Sequence, residues 1–196
     1  MAEDRPRIRP GRPRSQQSRA AVLRATSELM REVGLRAMTT EDIAARSGAS
    51  KATIYKWWPN KYAVAVEAFL SEMAVESADP DTGSAREDFR LALRGLIHFY
   101  TGEYGRAYAQ LVGEAQFYPE ARERIRTHQV DRRRAVVKQI WDRGVARGEL
   151  DPNVDPEVAL DLIFGAAVYR MATGHAGLTP HDADAIVATA MRALAS

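Results

Sequence analysis

Apolar residues recur along much of this chain at spacings of three and four, which is the period of an amphipathic helix. The clearest case is the first predicted helix, from about Gln16 to Val33, which Gly34 would end as a C-terminal cap. Its apolar stripe consists of Val22, Leu23, Thr26, Leu29, Met30 and Val33. Valine and isoleucine nowhere alternate with polar residues for more than a few positions, so strands are not expected. The pattern therefore predicts an all-α fold.

Start and stop signals divide the rest of the chain into further helices. Asp155-Pro156 and Thr179-Pro180 each place a capping side chain before a proline that suits the first helical position. Residues 76–84, with Asp-Pro-Asp-Thr-Gly in their middle, are a candidate boundary. About nine helices are predicted, namely 16–33, two short ones between 39 and 57, one from 61, and then 85–100, 106–117, 119–147, 156–173 and 180–194.

Charge is distributed unevenly along the chain. Residues 1–62 contain 13 Lys and Arg against 6 Asp and Glu, whereas residues 63–196 contain 15 against 20, for a net charge of +2 overall. A basic head on an acidic body is typical of a protein that contacts a polyanion at one end only. On charge alone, a solvated arginine-rich tail explains the same asymmetry.

The composition also excludes several kinds of chemistry. There is no cysteine, so disulfides, thiolate metal sites and cysteine nucleophiles are excluded, and a reducing compartment suits the chain. The N-terminal stretch is polar and has no apolar signal segment, and no run approaches the roughly 18 apolar residues of a membrane span. We therefore expect a cytoplasmic protein without a membrane partner.

The most informative stretch is residues 39–61, which read TTEDIAARSGASKATIYKWWPNK. Thr39 and Asp42 have the spacing of a capping box and would start one short helix. Gly48 supplies the left-handed turn that a tight corner needs, and Ser50 is placed to cap the next helix. The residues placed to face a shared core are Ile43, Ala44, Ala49, Ile54 and Trp57. This is the pattern of a helix-turn-helix.

The outward side of the second short helix offers hydrogen-bond donors and one small residue, with no acid. These residues are Lys51, Ala52, Thr53, Tyr55 and Lys56. Such a surface can enter the major groove of DNA without repelling phosphates. We therefore expect this helix to bind double-stranded DNA.

The stretch resembles the head of the TetR family of transcriptional repressors. That head has a Thr, then Ile-Ala, a glycine turn, Ser-Lys-x-Thr-hydrophobic-Tyr, an aromatic residue and Pro-x-Lys. The matching positions are Thr39, Ile43, Ala44, Gly48, Ser50, Lys51, Thr53, Ile54, Tyr55, Trp58, Pro59 and Lys61. The resemblance is strong over residues 16–76 and beyond them consists of a matching number of helices. Trp58 in place of the commoner Phe is a mild departure, at the point where the third and fourth helices meet.

The resemblance implies which residues contact DNA. It assigns phosphate contacts to Thr39, Thr53, Tyr55 and Lys61, and base edges or the adjoining backbone to Lys51, Ala52 and Lys56. Thr40 belongs to the same predicted set. For Tyr55 the alternative is a ring that fills the core of the head, and for Lys61 it is a solvated lysine. Lys61 would oppose the dipole of its own helix, an objection that a nearby phosphate would remove.

The first 14 residues are rich in proline and arginine and are expected to form a flexible basic arm. The run from Arg9 to Arg14 resembles the Gly-Arg-Pro core with which AT-hook peptides lie in a narrow minor groove. Arg9, Arg12 and Arg14 are therefore candidate DNA contacts. A non-specific basic tail is the equal alternative.

The resemblance divides the remaining chain into a helix-turn-helix domain at 15–60 and a ligand-binding and dimerisation domain at 61–196. It implies a homodimer formed by the last two helices, whose small and apolar residues would permit close approach. The predicted interface residues are Ile163, Ala166, Ala167, Arg170, Ile186, Ala190 and Met191. An intramolecular core is the alternative. Two heads one DNA turn apart would supply a specificity that one short helix cannot.

An effector pocket is implied among the middle helices, for a largely apolar or aromatic small molecule. Its candidate lining residues are Phe89, Tyr100, Tyr104, Tyr108, Phe117 and Trp141. Each of these aromatic residues has a place in the core as its alternative.

Catalysis has no support in the sequence, and neither a cofactor nor a metal is expected. The four histidines are scattered, and no phosphate loop or nucleophile elbow is present. We therefore predict a TetR-like repressor that binds a palindromic operator as a dimer and is released by a small-molecule effector. The alternatives are an architectural DNA-binding protein and a ligand-binding helical protein that does not bind DNA.

Overall fold

The computed structural model describes residues 12–72, 79–102 and 105–195, with side chains described for all of these except 12–14 and 72. These residues form helices joined by turns, and their one β-type pairing is an isolated bridge between Leu150 and Ala195. The chain divides into two compact units, Met1–Glu72 and Met73–Ser196, which we call the head and the body. The all-α prediction is confirmed.

Over its described residues, 12–72, the head contains five helical segments, of which α1 packs on both α3 and α5. Their bounds are α1 Arg12–Glu32, α2 Gly34–Ala37, α3 Thr40–Ser47, α4 Lys51–Trp57 and α5 Lys61–Glu72. The core of the head includes the fully buried side chains of Val22, Ile43, Ile54, Trp58 and Val64. This burial fixes the faces that α3 and α4 turn outward.

Two boundaries in the head differ from those predicted. Helix α1 begins at Arg12, inside the predicted arm, because Pro13 is tolerated in the first turn, where its missing N–H has no helical partner. The division between the units falls after Glu72, whereas the sequence placed it after Asn60. Helix α5 is therefore part of the head, where it packs on α1.

The body contains the other helices, with α6 packed against α9, α10 and α11. Their bounds are α6 Ala85–Thr101, α7 Gly105–Ala115, α8 Pro119–Ile125, a π-helical turn Arg126–Val130, α9 Asp131–Ala146, α10 Pro156–Thr173 and α11 Pro180–Leu194. The core includes Phe89, Leu93, Trp141, Leu160 and Ile163. Where one helix was predicted over 119–147, the structure has α8, the π turn and α9.

The predicted caps of the last two helices are confirmed. The Glu157 N–H donates to Asp155 Oδ1 at 2.8 Å at the start of α10. At the start of α11, Thr179 N–H donates to Asp182 Oδ2 at 2.8 Å and Asp182 N–H donates to Thr179 Oγ1 at 3.3 Å. In the described ranges no helix is long and apolar enough to cross a membrane, and no three His, Asp or Glu residues group as metal ligands.

Candidate functional site

The corner between α3 and α4 forms as the sequence predicts. Asp42 N–H donates to Thr39 Oγ1 at 3.1 Å, and Thr39 N–H donates to Asp42 Oδ2 at 2.9 Å, which completes the capping box. The Thr39 hydroxyl and the Thr39 N–H both donate to the Asp42 carboxylate, and these two hydrogen bonds lower the pKa of that carboxyl. Gly48 has φ 71° and donates its N–H to Ala44 O at 3.0 Å, and Ser50 Oγ accepts the Thr53 N–H at 3.1 Å. The three local signals that fix the helix-turn-helix are therefore confirmed.

The corner leaves one side of α4 exposed to solvent. Lys51, Ala52, Tyr55 and Lys56 are exposed, whereas Ile54 is buried and Thr53 is half-buried. The Tyr55 side chain is 51% exposed, so its ring does not fill the core of the head. We call the exposed set Lys51, Ala52, Tyr55 and Lys56 the α4 face.

The α4 face is less free of acid than the sequence of α4 alone indicates. Lys51 Nζ donates to Glu41 Oε1 of α3 at 2.6 Å. This contact lowers the pKa of the Glu41 carboxyl and raises the pKa of the Lys51 ammonium. Lys51 must therefore exchange or share this partner in any contact with a phosphate or a base.

Two threonines predicted to contact DNA differ in exposure. Thr39 is exposed, and its hydroxyl donates to Asp42 Oδ2 at 2.6 Å. Thr40 is only 8% exposed, because the first turn of α3 presents this position to the interior of the head. The expectation for the Thr40 side chain is therefore corrected, since it faces inward.

Lys61 has a structural role that the sequence did not indicate. Its ammonium donates to Leu35 O at 3.2 Å, Arg36 O at 2.9 Å and Met38 O at 2.8 Å. Carbonyl groups at the end of a helix lack intrahelical partners and attract cations. Lys61 thus caps α2, which offsets its unfavourable place at the start of α5. Its contact with a phosphate stays a prediction.

Trp58 connects the end of α4 to α5. Its indole Nε1–H donates to Glu67 Oε2 at 2.7 Å, and Glu67 also pairs with Arg19 of α1. The Arg19 guanidinium lies 5.9 Å from the centre of the indole ring. A phenylalanine at this position would have no N–H for Glu67, so the departure at Trp58 adds a polar link between these helices.

Of the predicted arm contacts, Arg9 lies outside the described residues, and so do the side chains of Arg12 and Arg14. Their proposed place in a minor groove therefore stays a prediction.

A cavity of about 960 Å³ lies within the body, between α6, α7, α8, the π turn, α9 and α10. Tyr100 and Tyr108, both predicted, line it, and their rings stack with centroids 5.9 Å apart. Burial raises the pKa of both hydroxyls. The volume lies within the range of roughly 300–1,000 Å³ that small-molecule sites occupy.

Three of the other predicted lining residues do not line this cavity. Phe89 and Trp141 are buried in the core, where helix packing and not a pocket accounts for their burial. Phe117 is 79% exposed, because it follows the last turn of α7 and points to solvent. Tyr104 lies outside the described residues. These positions, Phe89, Trp141 and Phe117, are corrections to the prediction.

Several lining residues were missed, among them Phe99, Phe164, Gln129 and Arg133. The Arg133 guanidinium lies 4.7 Å from the centre of the Phe99 ring. Gln129 belongs to the π turn, which adds a residue to one helical turn and so changes which side chains face the cavity. No sequence signal marked that turn.

Comparison with known proteins identifies the family. Residues 22–68 match the family described as "Bacterial regulatory proteins, tetR family", and residues 79–190, more than half of the chain, match "Tetracyclin repressor-like, C-terminal domain". This chain belongs to the TetR family. Members of this family are DNA-binding regulators of transcription and are not enzymes.

Individual relatives of this TetR-family chain agree with that assignment. The HTH-type transcriptional regulator YdeS of Bacillus subtilis is 40% identical over 161 residues, which are 82% of this chain and 81% of YdeS. The TetR family transcription regulator SCO0332 superposes with a TM-score of 0.72 and 31% identity, over 92% of this chain and all of SCO0332. FadR of Bacillus subtilis has a TM-score of 0.64 and 19% identity over 88% of this chain and 97% of FadR, and so shares the fold.

In this TetR-family chain, several predicted interface residues face the core of the body. Ile163, Ala167 and Met191 are buried, and Arg170 donates to Asp182 at 2.6 Å. The half-buried members of the predicted set are Ala166, Arg170, Ile186 and Ala190. The predicted face is therefore corrected for Ile163, Ala167 and Met191.

A different side of α10 is apolar and exposed. The residues on it are Val158 at 54%, Leu162 at 54% and Tyr169 at 62% exposure, whereas the exposed Val168 lines the cavity. Val158, Leu162 and Tyr169 recur at helical spacing, so they form one stripe, which we call the α10 stripe.

Proposed function

We propose that this TetR-family regulator is a homodimeric repressor. In this proposal two copies of the α4 face read the half-sites of a palindromic operator, and a small molecule bound in the body cavity releases the DNA. The protein acts in the cytoplasm and is associated with the nucleoid while it is bound to DNA.

The observation that best supports operator binding is the geometry of the α4 face. A helix that follows a glycine corner, with its apolar side buried, presents its other side to the major groove. Lys56 and the exposed Tyr55 hydroxyl supply donors there, and Ala52 leaves room for close approach to base edges.

The proposed homodimer is supported by the α10 stripe. Exposed apolar side chains at helical spacing mark interaction surfaces in soluble proteins. On α11 the exposed positions Ala185 and Thr189 are small and permit close helix approach. We therefore place the dimer contact on Val158, Leu162 and Tyr169, with α11 beside them.

The proposed effector is supported by the size of the cavity and by its aromatic lining. FadR of Bacillus subtilis has been crystallised with stearoyl-CoA, and another structure of this fold is a flavonoid-responsive regulator, FrrA. Those ligands belong to those proteins, and the likeness is one of fold. A ligand lowers DNA affinity here to the extent that it prefers the conformation that does not bind the operator.

Selection of bound duplexes from a random pool tests the proposal. A palindrome with half-sites about one helical turn apart supports the dimeric repressor. Enrichment without sequence preference would indicate an architectural protein, and no retention at physiological salt would indicate a ligand-binding protein without DNA function.

A variant of the α4 face tests whether this face contacts the selected operator. Tyr55→Phe removes one hydroxyl and should weaken binding to all sequences alike, because phosphate contacts do not read bases. Lys138→Ala is the control outside the head, since Lys138 is on α9 and pairs with Asp142 at 2.9 Å. This variant should leave operator affinity unchanged. Equal affinity of Tyr55→Phe and the wild type would remove this hydroxyl from the interface.

A further inference from the structure

The body cavity contains a cation without a carboxylate partner. Arg122, Arg126, Arg133 and Arg134 line it, and Arg122 and Arg126 are exposed to solvent whereas Arg133 and Arg134 are half-buried. Arg126 binds Glu123 at 2.6 Å and Asp131 at 2.7 Å, and Arg134 binds Asp161 at 2.7 Å and also Glu157. Within the described part of the chain, Arg133 forms no such pair. Its neighbours are the rings of Phe99, Tyr100 and Tyr108.

Arg133 is also short of hydrogen bonds. Its Nε is shielded from solvent and has no hydrogen-bond partner. The cation–π contact with Phe99 stabilises the guanidinium less than burial of an unpaired charge destabilises it. A guanidinium stays protonated in proteins, so it presents donors in a planar fork.

Gln129 places a second free donor beside it. Gln129 is 4% exposed, and its Nε2 has no hydrogen-bond partner. It lies four residues before Arg133, and both residues line the cavity. The π turn Arg126–Val130 contains Gln129 and leads directly into α9, and such turns often occur at functional sites.

The remaining lining consists of apolar walls, paired charges and the solvent-exposed Arg122. Leu96, Phe99, Val137 and Phe164 supply apolar surface. Glu123 is the one lining carboxylate among the described residues, and Arg126 already binds it. Away from the exposed Arg122, an incoming acceptor would therefore meet free donors at Gln129 and Arg133, next to the aromatic wall.

We propose that the effector is a small amphipathic organic acid whose carboxylate is bound by Arg133 and Gln129 and whose apolar or aromatic body packs on Phe99, Tyr100 and Tyr108. This inference rests on the proposed effector function of the cavity. A planar carboxylate matches the guanidinium fork with two parallel hydrogen bonds, and it supplies the counter-charge that the protein lacks at this point.

A matched pair of ligands tests the charge requirement on the full-length wild-type chain. The neutral dye N-phenyl-1-naphthylamine, which fluoresces in apolar sites, is bound first. It is then displaced by 1-naphthaleneacetate, which is ionised at neutral pH, or by the uncharged 1-naphthaleneacetamide. We expect the acid to compete about 10-fold better than the amide, the effect of one charge-assisted hydrogen-bond pair. Equal competition overturns the proposal, and this comparison needs no substitution.

Two variants then test which cation of the protein binds the carboxylate of the ligand. Arg133→Met keeps the length and apolar character of the side chain and should remove the preference for the acid while dye binding persists. Lys138→Met removes a cation from the same helix outside the cavity lining, and should keep the preference. A preference for the acid that survives in Arg133→Met would overturn the assignment.

Failure of the inference is distinguishable from failure of the proposed function. If the acid binds through Arg133 but saturating acid leaves operator affinity unchanged, the site is correct and the effector role is wrong. If the dye binds and the acid and the amide compete equally, the cavity binds small molecules but the proposed anion site is wrong. If the dye is not bound at all, both are wrong.

Discussion

The Lys61 side chain has an observed structural contact, with backbone carbonyls, and a predicted contact with DNA. Two measurements on one variant can distinguish these roles. Lys61→Met keeps the aliphatic stem and removes the ammonium that donates to Leu35 O, Arg36 O and Met38 O. Those carbonyls then lose their donor at the end of α2. We expect the segment from α2 to the start of α3 to open more often, with the fold of the head retained.

The magnitude follows from the three contacts. A hydrogen bond to a charged group contributes about 1.5–3 kcal/mol. The three bonds share one ammonium, and the one to Arg36 O is exposed to water, which can replace it. We therefore expect a total loss of about 2 kcal/mol, which raises the local opening constant about 30-fold.

Amide hydrogen exchange of the full-length chain measures that opening. The amide of Met38, bonded to Gly34 O at 3.1 Å, lies within the affected segment. Its exchange should be about 30-fold faster in Lys61→Met. Lys56→Met is the control, because Lys56 is an exposed lysine of the same head and should leave this exchange unchanged.

The salt dependence of operator binding then decides the second role. If Lys61 also contacts a phosphate, Lys61→Met lowers the slope of log affinity against log salt by about 0.9. Weaker binding with an unchanged slope identifies Lys61 as a cap alone. Unchanged exchange at Met38 in Lys61→Met would refute the capping argument, whatever the slope.

Three further predictions test the packing, the dimer and the electrostatics. In urea denaturation, Gly95→Ala should raise the free energy of unfolding by about 0.8–1 kcal/mol, because a Cβ there meets nothing within 4 Å. Gly144→Ala should lower the free energy of unfolding by about 1–3 kcal/mol, because its Cβ would lie 2.8 Å from a neighbouring alanine Cβ. If the two variants changed the free energy of unfolding in the same direction, the packing argument would be refuted. In sedimentation experiments, Leu162→Arg should be monomeric, whereas the control Phe117→Arg should remain dimeric. If Leu162→Arg remained dimeric, the interface would lie elsewhere than on the α10 stripe. Glu41→Gln should raise affinity for random duplexes and steepen the salt dependence by freeing the lysine that it binds; an unchanged slope would show that this lysine stays away from phosphates.

The head was predictable because its signals are local. The capping box at Thr39, the left-handed glycine at Gly48 and the cap at Ser50 each act over three or four residues of sequence. The hydrogen bonds that they predict form almost regardless of the surrounding fold. In contrast, Lys61 reaches carbonyls more than twenty residues earlier in the chain, and no local pattern indicates such a contact.

The orientation of α10 could not be read from its sequence. From Val158 to Met171 the helix is apolar on nearly every side, so the pattern fits several rotations about its axis. Only packing against α6 and α11 shows that Ile163 and Ala167 face inward and that Leu162 faces outward. The prediction that the last two helices are rich in apolar and small residues was sound, but it could not select the exposed ones.

The missed cavity residues have a related cause. Composition shows that the body contains many arginines, but it does not show which of them have carboxylate partners. Arg134 binds acids on α10, about 25 residues away along the chain, while Arg133, about 100° further back around α9, lies against aromatic rings. Adjacent positions on α9 thus differ, since Arg134 is paired with two carboxylates and Arg133 has no carboxylate partner among the described residues. Pairing in three dimensions, and not residue type, makes Arg133 the position at which a ligand can supply the missing charge.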